Sequence, residues 1–187
     1  MKRLVAAFEP FAGRRRNRAW QAARRLAADE DVEVARLPVS FARLPAAIDA
    51  LLARAPDVLL LVGEAHDLDG LEVERLAINL ADARVPDNDG AQPRDQALMR
   101  SGPVARKVAI DVSQVVDAIR KVGVSAVASA HAGTFCCNAA LYLALEKASP
   151  GTKVAFIHVP DRRRRMRAKT AAAGLRAALS SLVAHSD

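Results

Sequence analysis

Five consecutive apolar residues, Val58-Leu59-Leu60-Leu61-Val62, follow Asp57 in a predicted strand over 57–62. A run this short and unbroken has no polar side, so a strand built from it must be covered on both faces. Helices packed on both faces of a parallel sheet provide that cover. The rest of the chain supplies the parts. Lys2–Ala7 predicts a first strand, Val32, Val34 and Leu37 mark a second, and Val154–Val159 is another apolar one. Leu71–Ala77 alternates apolar and polar residues, the pattern of a half-buried strand, and Val124–Ser129 reads as a short strand. Helices are expected over Arg18–Ala28, Leu44–Arg54, Val112–Val122, Cys137–Lys147 and Met166–Ala184. The alternation predicts one α/β domain over residues 1–187, a three-layer α/β/α sandwich with a mainly parallel, twisted sheet.

In such sheets the working residues gather at the carboxyl ends of strands. One connection stands out. Ala83–Arg106 is long, is broken by Pro86, Gly90, Pro93, Gly102 and Pro103, and so reads as functional. No run of 18 apolar residues exists, so no membrane span is expected, and Met1–Phe8 reads as a strand and not as a signal peptide. Adjacent Cys136 and Cys137 cannot build a disulfide framework, and a vicinal disulfide would be strained. Two free thiols in a reducing cytoplasm are therefore expected. The net charge of +7 comes from 28 Lys and Arg against 21 Asp and Glu. Much of the excess lies in Arg14–Arg16 and Arg162–Arg165, runs without interleaved aromatics. They read as solvated surface; an anion- or nucleic-acid-binding protein is the alternative they would support.

Gly133 and Thr134 form a tight turn between the 124–129 strand and the helix from Cys137. That turn sets a cysteine on the first turn of a helix, where unpaired N–H groups carry partial positive charge. The field favours thiolate, the attacking species. Cys137 is thus a candidate nucleophile, or else a small buried cysteine packing helix on sheet. A nucleophile needs a base, and His158 ends the 154–159 strand; the same histidine would also suit a bond to a backbone carbonyl. His66, His131 and His185, in loops and the tail, are weaker candidates. A carboxylate to orient the base comes from Glu72 or Glu74, which point to the same side of a strand and are not separable by pattern.

Five segments together resemble one family. Phe8-Glu9-Pro10-Phe11, the block from Asp82 to Pro93 (Asp-Ala-Arg-Val-Pro-Asp-Asn-Asp-Gly-Ala-Gln-Pro), and Ala132-Gly133-Thr134-Phe135-Cys136-Cys137-Asn138 are similar to segments of the type I pyroglutamyl peptidases. So are Glu74-Arg75-Leu76-Ala77-Ile78-Asn79 and Phe156-Ile157-His158-Val159-Pro160. The resemblance spans roughly residues 4 to 160. It implies a cysteine exopeptidase releasing an N-terminal pyroglutamyl group through a thioester, with Cys137 as nucleophile, His158 as base and Glu74 as its orienting acid. It implies neither metal nor cofactor, and a peptide substrate with a blocked N-terminus. Arg84 or the Cys137 N–H would support the oxyanion, with pairing to Asp82 or Asp87 as the competing role for Arg84. Phe8, Phe11, Phe135, Cys136 (valine in the family) and Asn17 would border the substrate, Asn17 also being a natural helix cap.

Departures from the family carry their own expectations. Its Gly-Gln-Ala-Gly-Gly-Arg segment is here Gly63-Glu64-Ala65-His66-Asp67-Leu68. A carboxylate only accepts hydrogen bonds where an amide also donates, so Glu64 would repel a lactam carbonyl. Glu64 is expected to be paired, with Arg84 as the partner, and to weaken pyroglutamate binding or favour a substrate bearing a donor. A divergent homologue with altered preference or lost activity is the alternative this substitution supports. The family segment after the histidine helps subunit contact; here it reads Asp161-Arg162-Arg163, which bears on whether the chain forms a homo-oligomer (dimer or tetramer).

Overall fold

In the computed structural model, which describes residues 1–29, 31–161 and 166–183, the apolar run lies inside strand β3 (Val58–Ala65). Residues 58 to 62 of that strand are wholly excluded from solvent. The Arg162–Arg165 run and His185 lie outside the described residues. β3 is hydrogen-bonded in parallel to β1 (Arg3–Phe8) on one edge and to β7 (Lys153–Pro160) on the other; β1 pairs in parallel with β2 (Val32–Leu37). Beyond β7 comes β4 (Leu71–Ile78), which carries β6 (Ala126–His131) in parallel and β5 (Ala105–Lys107) antiparallel. The sheet therefore has seven strands in the order β2-β1-β3-β7-β4-β5, with β6 on β4.

Helices cover both faces. α1 (Arg18–Ala23) and α3 (Val112–Lys121) pack on α5 (Ala168–Val183), while α2 (Leu44–Leu52) packs on α4 (Cys136–Lys147). Most strand pairs are parallel, as the sequence predicts. Of the two antiparallel pairs, one decides where the site lies. β7 and β4 are antiparallel and their ladder comprises two residue pairs, Glu72 with His158 and Val73 with Ile157. Because β6 runs with β4 and β7 runs against it, the carboxyl ends of β6 and β7 face opposite ways. The expected common rim of strand ends is thus replaced by a site across a sheet face, where β4 meets β7.

Two local differences have plain causes. β5 falls within the expected long connection; three residues reading Ala-Arg-Lys carry no periodic signal and pair only because β4 offers a free edge. The remainder of that connection is ordered by side chains standing in for a ladder. The Asp87 carboxylate accepts from the N–H groups of Phe41, Asp89 and Ala91 at 2.8–2.9 Å. Asn79 donates to the carbonyls of Met99 and Gly102 and accepts from the Met99 N–H, and Gln92 donates to the carbonyls of Ala83 and Arg84. The helix expected over 18–28 stops at Ala23 and tightens into one 3₁₀ turn, Leu26–Ala28, which drops Leu26 into the core.

Candidate active site

Strand pairing puts one row of side chains together. Gly63 on β3 stands beside His158 on β7, and His158 stands opposite Glu72 on β4. Successive side chains alternate across a sheet, so Glu74, two residues on, shares that face, as does Phe156. The Glu74 Oε1 lies 2.7 Å from His158 Nδ1, and both residues are buried, Glu74 to 1 % exposure. The Phe156 ring leans on the imidazole with centroids 4.8 Å apart, fixing its plane. With Nδ1 engaged by Glu74, Nε2 is left for the nucleophile.

The nucleophile arrives from above that face. Gly133 takes φ +80°, a left-handed conformation that suits glycine and turns the chain out of β6. Thr134 ties the turn to the chain after β4: its hydroxyl donates to the Asp82 carbonyl at 2.7 Å, and the Asp82 N–H donates to the Thr134 carbonyl at 3.0 Å. α4 then begins with Phe135 as an extended N-cap that provides no side-chain acceptor, so the first-turn N–H groups stay available to an anion. Asn138 docks this helix end on β4: its amide accepts from the Ile78 N–H at 2.8 Å and donates to the carbonyls of Ile78 and Leu80 at 2.8 and 3.0 Å.

Gly63 is what lets sulfur and ring meet. A Cβ on it would lie 2.8 Å from Cys137 Sγ, 2.9 Å from Phe156 Cζ and 3.0 Å from His158 Cδ2. The sulfur and the imidazole therefore crowd the same hydrogen-clad spot, and the His158 ring is hydrogen-bonded to Glu74. Burial, the largest influence, pulls the His158 pKa down; the charges and hydrogen bonds of Cys137 and Glu74 together outweigh it and push it up to about 10. The arrangement favours imidazolium beside thiolate. Glu72 is pushed upward by burial first and by the neighbouring Glu74 charge second. Among the described residues Glu74 Oε2 is buried with no hydrogen-bond partner, so the hydrogen bonding of this carboxylate is to His158 through Oε1.

These groups border a cavity of about 700 Å³ that Phe11, Glu64, Arg84 and Phe135 also line. Phe135 is gripped between Phe11 and Phe41, with ring centroids 6.1 and 5.6 Å away. Three residues expected at the substrate lie elsewhere. Phe8 is buried in the core as the end of β1, and Cys136 points into the core from α4, where burial chiefly pushes its thiol pKa far up. Asn17 is consumed as a cap, accepting from the N–H groups of Ala19 and Trp20 and donating to the Glu9 carbonyl.

Arg84 is exposed at the cavity and makes no ion pair among the described residues. The expected pairing fails because Asp87 is taken by backbone N–H groups and Asp82 faces Arg94 at 3.7 Å. Glu64 does not pair with Arg84 either. Its Oε1 accepts from Arg14 Nη1 at 2.7 Å and its Oε2 from the Arg18 N–H. Arg14, read from sequence as solvated, is therefore part of the cavity wall's support. Asn138 and Gly63 were also missed as positioning residues. Their signals were an asparagine next to the nucleophile at a helix start, and a glycine ending an all-apolar strand.

Comparison with known proteins bears on this geometry. A family model described as pyroglutamyl peptidase matches residues 1–183. The chain belongs to the pyroglutamyl peptidase family. A pyrrolidone-carboxylate peptidase of Clavibacter michiganensis is 42 % identical over 164 residues, covering 84 % of this chain and 77 % of that protein. One from Thermococcus kodakarensis is 38 % identical over 167 residues, covering 86 % and 81 %. The solved structure of Bacillus amyloliquefaciens pyroglutamyl peptidase I superposes with a TM-score of 0.92 at 30 % identity, covering 100 % of this chain and 98 % of that one. As in that family, this chain is a cysteine-type peptidase built on a mostly parallel sheet flanked by helices. No helix among the described residues is long and apolar enough to cross a membrane.

Proposed function

We propose that this protein releases an N-terminal pyroglutamyl group from peptides, with Cys137 as nucleophile, His158 as acid and base, and Glu74 as the group that orients His158. One observation carries the reading: an imidazole hydrogen-bonded to Glu74 on one side and packed beside the Cys137 sulfur on the other, over a glycine. Attack by the Cys137 thiolate on the acyl carbonyl pushes its π electrons onto oxygen. The first-turn N–H groups of α4 face that oxyanion, and Arg84 at the cavity supplies a second donor. As the carbonyl reforms, His158 gives its proton to the departing amine, leaving a thioester. Water then attacks, its proton passing to His158, and thiolate is expelled with pyroglutamate. No metal enters these steps. Phe11 and Phe135 suit the faces of a flat lactam ring. Two thiols without a disulfide favour a reducing, cytoplasmic setting.

Hydrolysis of a chromogenic pyroglutamyl amide tests the reading. Wild type is expected to be active and Cys137→Ser to lose at least ~10³-fold in kcat. Equal rates in the two proteins, or an inactive wild type, would sink it. A second reading, the same chemistry on a shifted acyl preference, is favoured by Glu64 standing at the cavity wall with its charge paired. The nucleic-acid alternative loses support because Arg14 is engaged with Glu64.

A further inference from the structure

Across the sheet the site is laid out in strand order. Phe11, just past β1, walls one end of the cavity; Cys137 lies over Gly63 on β3; His158 follows on β7. The next side chain in that row is Glu72 of β4, in register with His158 on one side and with Val127 of β6 on the other. Glu72 is half-buried and lines the cavity, and its carboxylate takes no hydrogen bond and no ion pair among the described residues. Val127 is 46 % exposed, so the sheet face beyond Glu72 lies open. Two residues along β4, Glu74 turns Oε1 to His158, while its Oε2 is buried without a hydrogen-bond partner among the described residues.

The charges on this wall do not cancel. With Cys137 as thiolate, the His158 imidazolium faces two anions, Cys137 and Glu74, and Glu72 adds a third. Arg84, which follows the Asp82 that Thr134 ties to the start of α4, forms no ion pair with Glu72. Burial first and the Glu74 charge second disfavour the ionised Glu72, and a cation placed beside it counters both. We propose that Glu72 is a specificity-determining residue on the leaving-group side of the cavity, favouring a leaving residue with a cationic side chain and disfavouring an acidic one. This deepens the peptidase reading and rests on it for the direction in which the amine departs. The acyl ring lies toward Phe11, on the β1 side of the sulfur, and the amine leaves past the group that gives it a proton, His158. Beyond His158 stand Glu72 and Val127. A lysine or arginine side chain there lays its methylenes along Val127 and brings its charge to Glu72. A glutamate side chain would set carboxylate against carboxylate.

The test compares the amides of pyroglutamyl-lysine, pyroglutamyl-glutamine and pyroglutamyl-glutamate at neutral pH and low ionic strength. Wild type is expected to prefer lysine to glutamate by at least roughly tenfold in kcat/KM, with glutamine between them and most of the difference in KM. Glu72→Gln should bring that ratio to within about threefold of unity, because the charge that discriminates is gone. Glu72→Asp keeps the charge and should keep the wild-type order of the three substrates. Added salt should narrow the wild-type ratio and leave that of Glu72→Gln nearly fixed. A substitution that merely loosened the fold would lower all three rates together, and that result would count against the proposal.

The field of Glu72 is also read without turnover. Cys137 is the more accessible thiol, Cys136 being buried. A methanethiosulfonate carrying a trimethylammonium group should label Cys137 at least roughly tenfold faster than one carrying a sulfonate, after correction for their rates with free cysteine, and Glu72→Gln should cut that ratio at least about threefold. A wild type that does not hydrolyse the amides yet shows this pattern would end the peptidase reading and leave Glu72 standing as the charge-selecting wall beside Cys137. Equal use of the lysine and glutamate substrates by wild type, an unaltered ratio in Glu72→Gln, or labelling blind to that substitution would each overturn the proposal.

Discussion

At Gly63 a single missing methyl group decides whether sulfur and imidazole can meet. The three atoms a Cβ would strike, at 2.8–3.0 Å, all belong to side chains, so Gly63→Ala is accommodated by pushing them apart. Such overpacking costs about 1–3 kcal/mol of stability. The larger effect is on rate, because a misplacement of around 1 Å at reacting groups costs on the order of 100-fold. Gly63→Ala is expected to fold with a modestly lowered Tm and to lose at least ~10-fold in kcat on the pyroglutamyl amide. Wild-type turnover by this variant would show that the glycine is only a packing choice. The same scale explains why Cys136 and Cys137, neighbours in sequence, have different fates. Helical geometry turns one into the core and the other over Gly63.

The decisive joint between elements is α4 on β4. Asn138 makes three hydrogen bonds to the backbone of residues 78 and 80 from a side chain with no exposure. Truncating it leaves the Ile78 N–H and the Leu80 carbonyl without their partner, each worth about 1–3 kcal/mol where water cannot reach, while the Ile78 carbonyl keeps the Leu80 N–H. Asn138→Ala is expected to cost about 3 kcal/mol in urea unfolding and to reduce kcat more than KM, since the helix that carries Cys137 loses its anchor. A stability loss below about 0.5 kcal/mol would mean that Thr134 and the core contacts of α4 suffice. The long connection is held in the same manner by Asp87, Asn79 and Gln92, side chains bonding backbone where no strand partner exists.

For the whole molecule the clearest consequence is the pH dependence of stability. His158 is raised to about 10 in the fold against an ordinary value near 6.5, burial opposing and Cys137 and Glu74 prevailing. A group raised on folding contributes stability that is complete below its unfolded pKa and is lost as pH climbs through the folded one. The unfolding free energy is therefore expected to decline across pH 7 to 10, and the alkaline limb of kcat to fall in the same interval. Cys137→Ala removes the leading upward influence, so its stability should decline less over that range. Matching urea midpoints of the two proteins at pH 7 and at pH 10 would contradict the coupling.

Much of this could be read along the chain. The apolar run of β3 demanded cover on two faces, and α4, β1 and β7 follow from spacing within a residue or two. The candidate nucleophile, base and acid were legible because their local segments resemble a family whose residue types recur together. Two matters were not legible. Strand direction between β4 and β7 rests on two residue pairs that no periodicity marks, so the meeting place moved from a rim to a sheet face. Same-face alternation cannot separate Glu74 from Glu72; the resemblance points to Glu74, and the place where β4 crosses His158 supplies the physical reason. The pairing of Glu64 with Arg14 joins positions fifty residues apart, and only folding sets such distances. Local pattern determines which faces of an element must be buried; the partner each buried polar group finds is decided by packing between distant elements, where desolvation leaves no free choice.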